Sequence, residues 1–151
     1  MKTIIVPLLA FSLAVSSCIS TKSTIKNIDD SVVGPALNEK YNSFIITQKA
    51  TNKKYGYDED YPVNVGFTSL ADGTQNEIRF LNALAGPKGE KITYEKKESC
   101  CPFPTKKSEM GAGTLDVYEI TWEGNPKPVI LYLNKFEKGV LMIPMGFTAR
   151  L

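Results

Sequence analysis

Five consecutive residues, Val129-Ile130-Leu131-Tyr132-Leu133, are all apolar or aromatic. Successive side chains of a strand point to opposite faces. A strand built from this run is therefore apolar on both sides, and its place is the centre of a sheet covered on both faces. The stretch before it behaves differently. Over positions 115–123, Tyr118, Ile120 and Trp122 fall on one side and Glu119, Thr121 and Glu123 on the other. That alternation marks a half-buried antiparallel strand.

The remaining elements follow from local signals. Gly124-Asn125-Pro126 and Glu137-Lys138-Gly139 are turns,. Positions 140–143 are expected as a last strand, stopped by Pro144. Upstream, Ile92 and Tyr94 alternate with Thr93 and Glu95 in a strand that continues to Cys101, with Cys100 on the core-facing parity,. Positions 41–47 are β-branched and aromatic enough for a first strand, and Val63 and Val65 flank Asn64 in a shorter one. Thr74-Gln75-Asn76-Glu77 fits a capping box,. Behind it Ile78, Leu81 and Ala85, with Phe80 and Leu84, make one helical face, and Gly86-Pro87 supplies a left-handed cap and a stop. The expectation is an α+β fold, one helix packed on an antiparallel meander of four or more strands.

Part of the 151 residues lies outside this domain. Positions 1–17 read as a secretory signal: Lys2 is the positive start, positions 4–15 are the apolar run, and Ser16-Ser17 are the small residues before cleavage,. The run is shorter than the roughly 20 residues a membrane span needs. Val15-Ser16-Ser17-Cys18 resembles the lipobox of bacterial lipoproteins. That resemblance implies cleavage before Cys18 and acylation of Cys18 on its sulfur and its new amino group, several chains being needed for stable anchoring. Positions 18–40, polar and broken by Gly34-Pro35, are expected as a tether from the membrane, and positions 41–151 as the single domain. Ile19-Ser20 lacks the aspartate that retains enteric lipoproteins in the inner membrane, which points to an outer membrane, facing the periplasm.

Removing Lys2 leaves 17 basic against 16 acidic side chains, so no electrostatic footprint for nucleic acid remains,. The chain has no histidine at all. This excludes Ser-His-Asp and Cys-His catalysis and removes the commonest metal ligand. Any general acid or base must be a carboxylate, lysine or tyrosine. Asp116, Glu119 and Glu123 are the candidates for a histidine-free hydrolase, but Glu119 and Glu123 sit on the solvent side of their strand. Asp58-Glu59-Asp60 lacks the spacing and turn glycine of a calcium loop, and no cofactor or metal is expected.

Two cysteines, Cys100 and Cys101, stand together before Pro102. Four readings compete: a buried structural pair, a disulfide between neighbours in an oxidising compartment, a thiol-reactive site favoured by Lys96, Lys97, Lys106 and Lys107, and a soft-metal site, which lacks further ligands. A disulfide requires the strand to break, since strand neighbours face opposite ways. A structural pair, bonded or free, is the expectation and redox chemistry the alternative.

Arg79-Phe80-Leu81-Asn82-Ala83-Leu84-Ala85-Gly86-Pro87, Ser99-Cys100-Cys101-Pro102-Phe103 and Leu115-Asp116-Val117-Tyr118 together resemble a group of small lipoproteins from Bacteroidota-type bacteria. The resemblance implies an envelope lipoprotein and carries no catalytic residue. Some similar sequences bear the label 2-dehydro-3-deoxyphosphooctonate aldolase. That enzyme type is a (β/α)₈ barrel of about 250 residues, and this chain has neither the length nor the alternation of helix and strand. The functional expectation is a lipid-anchored extracytoplasmic protein that binds or scaffolds an envelope protein or small ligand, with a thiol-active protein as the alternative.

Overall fold

The computed structural model describes residues 23–150; the signal at 1–17 and Cys18 lie outside the described residues. Its elements in chain order are β1 (Leu37–Asn38), β2 (Ser43–Phe44), β3 (Val63–Asn64), a 3-10 turn at Leu70–Asp72, α1 (Gly73–Asn82), β4 (Leu84–Ala85), β5 (Ile92–Pro104), β6 (Ala112–Trp122), β7 (Val129–Asn134) and β8 (Thr148–Ala149). The class is α+β.

The main sheet has the order β3-β7-β6-β5. The doubly apolar strand β7 lies inside it, as its sequence demands, but its second face is only partly covered, with Ile130 exposed and Tyr132 half-buried. Leu131 and Leu133 enter the main core, while Tyr132 reaches a second cluster with Leu115, Phe103 and Ile25. Strand β6 keeps its alternation: Tyr118 and Ile120 join Leu131 and Leu133, and α1 adds Phe80 and Leu81 to the same cluster.

The sheet is mixed, not an antiparallel meander. β5, β6 and β7 pair antiparallel, but β3 joins β7 parallel, with Val63 opposite Leu133. β3 occupies the edge that a fourth meander strand needs. The segment 140–143 makes no ladder as a result; Leu141 and Ile143 are buried, and Ile143 makes one bridge to Lys49. Of the strand expected at 41–47, only Ser43–Phe44 pairs, with Leu37–Asn38.

The helix also differs from expectation. It begins at Gly73 behind Asp72, which makes no side-chain cap bond, so the capping box at Thr74 and Glu77 does not form. Burial of Glu77 against β6 replaces it. The helix ends at Asn82 rather than Ala85, because Leu84 and Ala85 pair instead with Ala149 and Thr148. The left-handed glycine of the following turn is Gly89, at φ +87°, not Gly86.

Positions 23–40, expected as tether, lie on the domain. Ile25 is buried beside Phe103 and Leu115. The Lys26 and Asp29 amides donate to Asp60 and Lys138 carbonyls at 2.8 Å. Asn27 opens a row of asparagines: Asn64 donates to the Asn27 side chain at 3.1 Å and Asn134 donates to Asn64 at 2.9 Å. Gly139 lets this row approach, since a Cβ there meets the Asn27 carbonyl oxygen at 2.7 Å.

Candidate functional site

Three features carry the chain's chemistry, and β5 runs past all of them. The first is the cysteine pair. Cys100 stays in register with Leu115, but the next paired residue is Phe103, opposite Gly113. Cys101 and Pro102 bulge out between them, and Cys101 takes φ +59°, a left-handed conformation that residues with a Cβ adopt at a cost. With the strand broken in this way, Cys100 and Cys101 form a disulfide, S–S 2.12 Å. Both are half-buried, and Cys101 packs on the cluster of Ile25, Phe103 and Leu115. The lysines around the pair are largely committed elsewhere: Lys96 to Asp116, Lys97 to Glu95 and Glu119, Lys107 to Asp30 and Glu137.

The second feature is a buried polar cluster that sequence reasoning divided up. Asp116 lies on the core-facing side of β6 with no solvent exposure. It accepts bonds from Ser99 Oγ at 2.5 Å, Lys96 Nζ at 2.8 Å and Lys135 Nζ at 3.2 Å. Burial pushes its pKa up, but these donors together outweigh burial and hold it below the ordinary carboxylate range. Glu77, equally buried on α1, accepts a bond from the Tyr118 hydroxyl at 3.0 Å. Its pKa is pushed up to about 8, first by burial and then by the negative Asp116 beside it. The pair therefore holds one negative charge at neutral pH. Burial raises Tyr118 as well, helped by Glu77. Glu77 Oε1 has no hydrogen-bond partner among the described residues. Position 77 reads in sequence as the acid of a capping box; only the match between its place on α1 and Tyr118 on β6 reveals its burial.

The candidates for hydrolysis are not brought together. Asp116 is sealed, whereas Glu119 and Glu123 lie on the outer side of β6 or beyond its end, with Glu119 partly exposed near Lys97. The acidic run is equally spread: Asp58 pairs with Lys54 and Asp60 with Lys26. Among the described residues no group of three or more metal-binding side chains converges.

The third feature is a cleft of about 730 Å³ at the opposite end of β5 from the disulfide. Leu81, Leu84 and Ile92 form its floor, Tyr41 and Tyr94 its walls, and Lys49, Lys88, Lys91 and Arg150 its rim. Asn82 holds the walls: its amide donates to the Tyr41 carbonyl at 3.3 Å and accepts the Tyr94 hydroxyl at 2.8 Å. Tyr94 stands edge-on to Tyr118, 6.3 Å between centroids, which links the cleft to the buried cluster. No local pattern announces this site, because its parts come from four separated segments. Comparison with family models, curated proteins and solved structures returned no match.

Proposed function

We propose that the chain is a lipid-anchored extracytoplasmic protein of the cell envelope, in an outer membrane and facing the periplasm, with a binding or scaffolding role rather than a catalytic one. The observation that carries this reading is the lipobox-like Val15-Ser16-Ser17-Cys18 behind an apolar run, and the course of the segment after it says which end of the domain such an anchor would hold. Ile25 is buried at the disulfide end of the sheet. Cys18 stands seven positions earlier, and an extended chain covers at most about 3.5 Å per residue. A lipid on Cys18 thus holds that end of the domain within about 25 Å of the bilayer. The resemblance to the small Bacteroidota-type lipoproteins and the lack of histidine support the same reading. So does the seclusion of Asp116 and Glu77, which leaves no substrate access to the best-placed carboxylates.

Membrane fractionation of Cys18→Ser tests it. The variant is expected to lose membrane association or to accumulate unprocessed. A variant that sediments with membranes and is cleaved as before sinks the anchored reading.

A second reading, a thiol-active protein, is favoured by the half-buried disulfide whose Cys101 is held in a left-handed conformation. Rapid exchange with a small dithiol under native conditions supports it; resistance until unfolding removes it.

A further inference from the structure

We propose that the cleft at the start of β5 binds a small organic anion carrying two or more oxyanion groups, taken from the compartment and not from the anchoring membrane. The proposal rests on the binding role inferred above and names its ligand.

Charge is the first argument. The chain outside its signal is almost neutral, yet four cations, Lys49, Lys88, Lys91 and Arg150, converge on one cleft in whose lining no acidic side chain stands among the described residues. Among the described residues, no acidic side chain lies within ion-pair distance of any of the four. Outside the cleft some lysines pair with acids, as Lys96, Lys107 and Lys135 do, and others, such as Lys106 and Lys127, do not; what sets the four apart is that they share one lining. Glu90, the nearest acid in sequence, makes no ion pair with the four; its carboxylate accepts the Lys88 amide at 2.8 Å within the turn. Like charges left together cost stability unless an anion joins them.

Shape and rigidity are the second. The volume falls in the range of small-molecule sites and suits a molecule of disaccharide size. The walls are fixed by the Asn82 bonds to Tyr41 and Tyr94. The base is fixed by the β4–β8 pair, by Thr148 Oγ1 on the Gly86 carbonyl at 2.7 Å, and by the Arg150 amide on the Ala83 carbonyl at 2.8 Å. Arg150 lies over the Tyr41 ring at 4.3 Å, which orients its guanidinium. An apolar floor under a cationic rim selects a ligand with a carbon body over a bare inorganic ion.

Position decides the source. Ile92 lines the cleft, while Phe103 packs beside Ile25. Strand rise places these two ends of β5 roughly 30–35 Å apart. The end nearest the proposed anchor is the disulfide end, so the cleft lies at the end of β5 farther from that bilayer.

The test is titration of the detergent-purified mature protein with a disulfated disaccharide, pyrophosphate and neutral maltose at physiological salt. The disulfated disaccharide is expected to saturate one site, more tightly than pyrophosphate, with no saturation by maltose. Lys88→Ala/Arg150→Ala is expected to weaken it at least tenfold, and Lys106→Ala/Lys127→Ala, remote from the cleft, by less than twofold. No saturable anion binding, or equal loss in both double variants, overturns the site. Cleft-dependent binding of the Cys18→Ser chain to phosphatidylglycerol vesicles overturns the assigned source. A chain that fractionates with membranes but binds no anion refutes the cleft alone; one that binds but is not anchored refutes the anchor alone.

Discussion

The Tyr118 hydroxyl donates to Glu77 Oε2 at 3.0 Å, joining strand to helix at a point neither residue shares with solvent. A carboxyl so placed keeps its proton into mildly alkaline solution, with a pKa of about 8. The unfolded chain releases that proton near the ordinary glutamate value of about 4.3. Between these limits the folded state binds more protons than the unfolded one, so stability falls as pH rises. The contribution is complete below about pH 4 and gone above about pH 8, with a limiting slope of about 1.4 kcal/mol per pH unit. Thermal melts are expected to show a falling Tm from pH 5 to 8.5, and Glu77→Gln to flatten that decline.

Asp116 has the opposite sense. Its carboxylate pairs with Lys96 and Lys135, and its lowered pKa contributes stability above the unfolded value that is lost as pH falls through the folded one,. Asp116→Asn strands those cations against a buried site and is expected to cost about 3 kcal/mol in urea unfolding. It also removes the negative neighbour that helps raise Glu77, so the pH dependence just described should move to lower pH. An unchanged midpoint in Asp116→Asn contradicts the coupling of the two carboxyls.

Gly139→Ala places a methyl group 2.7 Å from the Asn27 carbonyl oxygen and 3.0 Å from Asn64 Nδ2. Such overpacking costs about 1–3 kcal/mol, and here it falls on the seam between the amino-terminal segment and the sheet. Hydrogen exchange at the Lys26 and Asp29 amides is expected to accelerate more than exchange within β6 and β7. Uniform acceleration argues against a local seam.

Cys101 takes φ +59°, and a residue with a Cβ in that region costs about 1–2 kcal/mol. With the disulfide removed, Cys100→Ala/Cys101→Gly is expected to be more stable than Cys100→Ala/Cys101→Ala by about 1 kcal/mol. Chemical denaturation of the two double variants measures the difference. Equal stabilities mean that the left-handed turn relaxes once the bond is gone.

Where one element dictates its own surroundings, the sequence was readable. The apolar run at 129–133 foretold an internal strand and the alternation through Tyr118 and Ile120 foretold its partner, whereas the residues around Cys100 and Cys101 left a bonded and a free pair equally open, and the bulge decides for the bond. Partnership between distant segments was not readable. A two-residue strand such as Val63–Asn64 carries too little pattern to announce a parallel place beside β7. Thr74 and Glu77 fit a capping box by local rules, but Tyr118, 41 residues away, claimed the carboxyl. Leu84 read as helix and became strand because a mate for it exists at Ala149. The cleft, built from four such segments, could not be read from any one of them.

The union of β4 with β8 also sets a timetable. Thr148 closes on Gly86 across 62 residues of chain, so a nascent polypeptide that has emerged only as far as β7 can assemble the main sheet but holds an unfinished cleft. Non-local closures of this kind are slow to form, so the cleft is complete only when the chain as far as Arg150 has joined Ala83 and Gly86.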